Sequence, residues 1–138
     1  GELFAAFFNN IKSRDYLAIL CFTERDPHIE DRLISLSRVI TDTFGIATLR
    51  GFGPRYLHST GQLFKGGPRK GHFIIFDREY ADDLDIPTTN ISFGRLIKAQ
   101  VLGDIKALKK RKRPIIHANL RLHPVRGLSE LEKVVSEL

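Results

Sequence analysis

The apolar positions of this 138-residue chain change their period several times, and each change marks an element. In residues 2–12, Leu3, Phe4, Phe7, Phe8 and Ile11 recur at spacings of three and four, which predicts a helix. Residues 16–22, YLAILCF, are an unbroken apolar run flanked by charge, as a strand buried on both faces would be. Asp26-Pro27 then reads as an N-cap followed by proline in the first helical position. The helix it opens shows Ile29, Leu33, Leu36, Ile40 and Phe44 on one face and ends at Gly45. Short strands are predicted at 46–50 and 72–76, then an acidic loop at 79–90. Ser92 caps a helix from 93 to about 110, with Phe93, Ile97, Val101, Ile105 and Leu108 inward. Its Lys/Arg-rich last turn suits the negative end of the helix dipole. A fourth strand follows Pro114, at 115–120. Ser129 and Glu132 have the form of a capping box, which starts a final helix at LEKVVSEL.

Helices that alternate with short buried strands predict an α/β domain. We expect a three-layer sandwich around a mostly parallel, doubly wound sheet, as one domain over residues 1–138. Ligands of such sheets sit beyond the carboxyl ends of the strands. The segment 51–68, GFGPRYLHSTGQLFKGGP, follows a predicted strand and so stands where a site is expected. Seven of its residues are glycine or proline, and it also concentrates hydrogen-bonding side chains. Glycine costs folding entropy and proline forfeits a donor, so such a run suggests tight turns or close approach to a ligand. His58 is the candidate acid–base group, because imidazole titrates near neutrality. Ser59 and Thr60 suit a substrate hydroxyl or phosphate; Gln62 and Lys65 suit sugar hydroxyls or an anion. Arg55 suits a phosphate or a loop-fixing carboxylate. The segment matches neither GxGxxG nor GxxxxGK[ST], which argues against a nucleotide loop.

Composition narrows the classes. Apolar residues make up 42% and charged residues 28%, ordinary for a globular protein. No apolar run reaches the roughly 20 residues of a membrane span, so no membrane partner is expected. The single cysteine, Cys21, lies within the first strand run and reads as a buried thiol in a cytoplasmic protein. The absence of methionine, even at position 1, suggests a piece of a longer chain. Asp82, Asp83 and Asp85 read as a solvated acidic loop, and His72 and His117 as structural strand residues. The histidines lack companions at zinc-ligand spacing, so neither a metal nor another cofactor is expected. The net charge of +6 is local: residues 95–126 hold ten Lys/Arg against Asp104 alone. KALKKRKR, 106–113, invites a nucleic-acid partner. Missing aromatic interleaving and the acid excess elsewhere favour a solvent-facing helix end instead.

The stretch GFGPRYLHSTGQLFKGGPRKG resembles the loop of the glucose-6-phosphate isomerase part of bifunctional transaldolase/glucose-6-phosphate isomerase proteins. ISFGRLIKAQVLGDIKAL is similar to the helix that follows it in that family, and DYLAILCF, DLDIP and IIHANL occur in the matching order. The resemblance implies the C-terminal subdomain of the isomerase part, with a sugar-isomerase (SIS-like) fold. It implies isomerisation of glucose 6-phosphate and fructose 6-phosphate through an enediol. His58 then corresponds to the ring-opening histidine, with Gly61 and Gln62 in the same loop. Gln100 falls near the position that bears a lysine in conventional isomerases. Lys98, two residues earlier, points to another helix face. Phe64 stands where the family usually shows a second histidine, which removes any proton role there. The resemblance also implies that the glutamate moving the proton between C1 and C2 lies in a first isomerase subdomain. The expected partners are a sugar phosphate, that subdomain, a transaldolase domain of a parent chain, and a second copy in a homo-oligomer. Activity of the chain alone is not expected. A non-catalytic sugar-phosphate-binding or assembly module is the alternative.

Overall fold

The computed structural model describes residues 1–138. The elements in chain order are α1 (Glu2–Asn9), β1 (Tyr16–Phe22), α2 (Pro27–Phe44), β2 (Ala47–Phe52), a 3-10 turn (Arg55–His58), α3 (Gly61–Gly66), β3 (Gly71–Asp77), α4 (Phe93–Lys110), β4 (Ile115–Asn119) and α5 (Pro124–Ser136). All strand pairs are parallel, in the order β2-β1-β3-β4. The chain leaves β1 toward one edge and β3 toward the other, so the topological switch lies between those two strands. This is the doubly wound, three-layer α/β sandwich that the alternation of elements predicts.

Strands β1 and β3 are central and covered on both faces, which is why they read as unbroken apolar runs. Leu17, Ile19 and Cys21 join Ile74 and Phe76 in a core closed by α1, α2 and α5. Ala18, Leu20 and Phe22 join Phe73 and Ile75 beneath the 3-10 turn, α3 and α4. Edge strand β2 mixes exposed and half-buried positions instead and has no fully buried one. No helix is long and apolar enough to cross a membrane.

The helix caps work as the residue types require. The Asp26 carboxylate accepts from His28 N at 2.8 Å and Ile29 N at 3.3 Å, and Gly45 ends α2 in a left-handed conformation, φ 66°. Ser92 accepts from Arg95 N at 3.3 Å to open α4. Asp83 supports that cap: it accepts from Gly94 N at 2.8 Å and from the Ser92 hydroxyl at 2.5 Å. These two bonds, the hydroxyl's first, hold its carboxyl below the usual range. The acidic loop is exposed as expected, and one of its members also braces a helix cap.

Several boundaries differ from expectation. Helix α1 stops at Asn9, where the Asn10 amide turns back to Ala6 O at 2.8 Å. Strand β2 runs on through Gly51 and Phe52, paired with Leu20 and Cys21. Helix α5 begins five residues before Ser129, with Pro124 in its first turn. Ser129 lies inside the helix and bonds Val125 O at 3.0 Å, while Glu132 accepts from Ser35 at 2.6 Å and ties α5 to α2. The expected capping box is absent because proline had already supplied the start.

At the amino end of the sheet, Asp15 joins the segments that precede β1 and β3. It accepts from Lys12 N at 3.0 Å and pairs with His72 Nε2 at 3.1 Å and Lys70 Nζ at 3.6 Å. Burial pushes its pKa up, but these hydrogen bonds and charges outweigh it and leave the carboxyl below its ordinary value. A lowered carboxylate pKa stabilises the fold above the unfolded value of about 4, and that contribution fades as pH falls through the folded value. Urea unfolding of the wild type and Asp15→Asn across pH should show a gap at neutrality that closes as pH drops below about 5. A gap independent of pH would contradict this role.

Candidate functional site at the carboxyl end of the sheet

The segment after β2 is less of a loop than its composition predicts. Residues 55–58 form the 3-10 turn and 61–66 form α3. Its glycines serve close packing. A Cβ on Gly53 would lie 2.6 Å from the Phe22 ring, and one on Gly67 would lie 2.6 Å from Leu63 O. Phe64 is buried in an aromatic group with Tyr16, Tyr56 and Phe73. A phenyl ring there anchors α3 to the sheet.

A cleft of about 720 Å³ opens between the end of β2, the start of α2 and this segment. It gathers Arg55, Ser59 and Thr60 with Arg25, Arg50, Thr23 and Glu30. Three arginines and one glutamate line it, a positive balance that suits a phosphate ester. Arg25 Nη2 reaches Glu30 at 3.1 Å, and Arg50 Nη1 donates to Ser37 at 3.1 Å. His58 ends the 3-10 turn with an exposed ring, immediately before the hydroxyls of Ser59 and Thr60. Gln62 is exposed on α3, and Gly61 is buried where a Cβ would stand 3.1 Å from Tyr56 O.

Of the predicted site residues, Arg55, Ser59 and Thr60 line the cleft, whereas His58, Gly61, Gln62, Lys65 and Gln100 do not. The Lys65 ammonium sits 2.8 Å from the buried Asp104 carboxylate of α4. The Tyr56 hydroxyl donates to the other oxygen of Asp104. Burial, then Asp104's hydrogen bond and charge, push the Tyr56 pKa far up, so the phenol stays neutral. Gln100 is half-buried one helical turn ahead of Asp104. Lys65 is thus occupied in pinning α3 to α4.

A polar cluster that sequence reasoning missed lies at the ends of β3 and β4. Asp77 is buried, and its carboxylate receives Lys98 Nζ at 2.5 Å, His117 Nε2 at 3.1 Å and Asn119 Nδ2 at 2.9 Å. Parallel register sets Asp77 beside Asn119, and strand alternation puts His117 on the same sheet face. His117 stands on its strand as expected, with its ring against the buried Asp77 carboxylate. His72, at the other end of the sheet, is the structural residue expected. Cys21 is also as expected: burial foremost raises its pKa to about 12, offset in part by Thr23, so the thiol is unreactive at neutral pH. A second cavity of about 800 Å³ lies on the α2/α5 side of the switch point, between Glu24, Arg32, Arg78, His123 and Arg126. No three His, Cys, Asp or Glu side chains converge as metal ligands would.

Removing the Lys65 ammonium leaves Asp104 buried with only Tyr56. Because Lys65 is partly exposed, Lys65→Ala should cost about 2 kcal/mol in urea unfolding, between the surface and fully buried limits. A lysine held for substrate would leave stability unmoved.

No known protein family matches this chain, and no curated protein matches it. Among solved structures it is similar to hypothetical protein TT0462 from Thermus thermophilus, with a TM-score of 0.73 and 18% identity. The match covers 96% of this chain and 36% of that one. Identity this low establishes a shared fold, and the chain spans about a third of the length of that protein.

Proposed function

We propose that this chain is the C-terminal, SIS-like subdomain of a glucose-6-phosphate isomerase of the transaldolase/isomerase type. One observation carries the proposal: the cleft after β2 joins Arg25, Arg50 and Arg55 to Ser59 and Thr60; the exposed His58 does not line it but directly precedes Ser59 in the chain. The arginines suit the phosphate of a hexose phosphate, and the hydroxyls suit its polar rim. His58 would open the ring by accepting the anomeric hydroxyl proton and returning a proton to the ring oxygen. The enediol step needs a carboxylate between C1 and C2, which the resemblance assigns to a first isomerase subdomain. The half-exposed Leu63 on α3 and Leu102 on α4 offer apolar surface for that subdomain, a transaldolase domain or a second copy. A cytoplasmic setting goes with this function and with the unpaired Cys21 thiol.

The second reading is a non-catalytic sugar-phosphate-binding or assembly module. Lys65 engaged by Asp104 and Phe64 packed in the core favour it, because two positions of the segment then face away from ligand.

Calorimetry with fructose 6-phosphate should show saturable binding to the 138-residue chain, weakened about tenfold or more in Arg55→Ala. The chain alone should show no isomerase turnover, because catalysis needs all its groups positioned together. Turnover by the chain alone would overturn its incompleteness. Binding that ignores the phosphate, with free fructose competing equally, would overturn the sugar-phosphate assignment.

A further inference from the structure

Opposite the candidate site, the fold gathers cations that lie far apart in the sequence. All four parallel strands begin at one end of the sheet, so the segments entering β1, β3 and β4 converge there. Those segments are hydrogen-bonded to one another. Tyr16 N donates to Lys70 O at 2.9 Å, and Phe73 N donates to Pro114 O at 2.9 Å. The buried Arg113 donates to Pro68 O at 2.8 Å and Gly67 O at 2.6 Å, locking the approach to β3 against the approach to β4.

This network presents Lys12, Arg14, Arg69, Lys70, Arg111 and Lys112, all exposed, on one pole beside the Lys-rich last turn of α4. The acid within these segments, Asp15, is covered and engaged by His72 and Lys70. Asp104 of α4 is buried and engaged by Lys65 and Tyr56. The exposed acids of this end, Asp42 and Glu137, belong to the ends of α2 and α5, in the same layer as α1 and across the sheet from α4. A run that reads in sequence as one solvated helix end is therefore part of a three-segment cationic surface.

We propose that this amino-terminal pole binds the phosphate backbone of double-helical nucleic acid without regard to sequence. Clustered Lys and Arg that outnumber the exposed acids of this end supply the counterion-release term that drives such binding. None of the exposed large apolar residues lies in these segments. Single strands are held largely by aromatic stacking, and membrane surfaces by apolar side chains inserted beside the charge. Apart from the terminal Leu138 beside Glu137, this pole offers neither, which leaves contact with a phosphate lattice.

The backbone supplies a clean test. Arg14 and Lys112 occupy left-handed positions, φ 75° and 55°, where glycine is unstrained. Arg14→Gly/Lys112→Gly removes two cations while relief of strain offsets the added chain entropy, so the melting temperature should hold. Arg121, φ 56°, stands at the carboxyl end of the sheet, so Arg121→Gly is a matched control. Fluorescence anisotropy would follow binding to a labelled duplex of arbitrary sequence over a range of salt. We expect log K to fall linearly with log salt, the double variant to be shallower by about 1.8 in slope, and Arg121→Gly to match the wild type. Absence of duplex binding at low salt would overturn the proposal. So would an unchanged slope in the double variant, or an equal loss in the control. Binding to phosphatidylserine vesicles in place of the duplex would assign the pole to a membrane surface and overturn it too.

Discussion

Burial of β1 and β3 on both faces is the constraint from which the rest of the structure follows. From Leu17 to Phe22 and from Phe73 to Phe76, every side chain is at most 1% exposed. Such strands tolerate no unpaired polar group, because each would lose its hydration without return. The one polar side-chain atom within Leu17–Phe22 and Phe73–Phe76, the Cys21 sulfur, is held as a neutral thiol beside Thr23. Both faces need helical covers, which fixes the three layers. Polar chemistry is thereby expelled to the strand ends. At one end lie the arginine-lined cleft and the Asp77 cluster; at the other lie Asp15, Arg113 and the cationic pole.

The cleft depends on how the segment after β2 is held. Phe64 and Tyr56 insert into the core beside Phe22 and Phe73. Asp104, Lys65 and Tyr56 then bind the same segment to α4 through charge and hydrogen bonding. Arg113 grips its end through the carbonyls of Gly67 and Pro68. A segment fixed at three points presents Arg55, Ser59 and Thr60 with little conformational entropy left to lose on binding. The polar residues spent on that fixing, Lys65 above all, are unavailable to a ligand.

The parallel sheet and its covers were legible because burial leaves continuous runs such as YLAILCF, and because caps such as Asp26-Pro27 and Ser92 act through local chemistry. The 3-10 turn and α3 were not, since glycine and proline conceal their role when the packed partner is unseen. Gly53 is required by Phe22, and Gly67 by Leu63 O. The start of α5 was hidden behind a second plausible cap at Ser129. In the site, the position of Arg55, Ser59 and Thr60 beyond a strand end was readable. The contributions of Arg25 and Arg50 required the parallel pairing of β1 and β2. The pairing of Lys65 with Asp104, and of His117 with Asp77, joins residues distant in sequence, so no local pattern announces it.

The central claim is that a sugar phosphate bound in the arginine-lined cleft after β2 reaches His58, the residue before Ser59 of the cleft wall. The most direct test is nuclear magnetic resonance of the His58 ring during titration with fructose 6-phosphate. The account predicts a saturable shift of the His58 ring signals, absent in His58→Ala, while the His72 signals at the far end of the sheet stay in place. A His58 ring that does not move at millimolar ligand, or a His72 ring that moves as much, would contradict it.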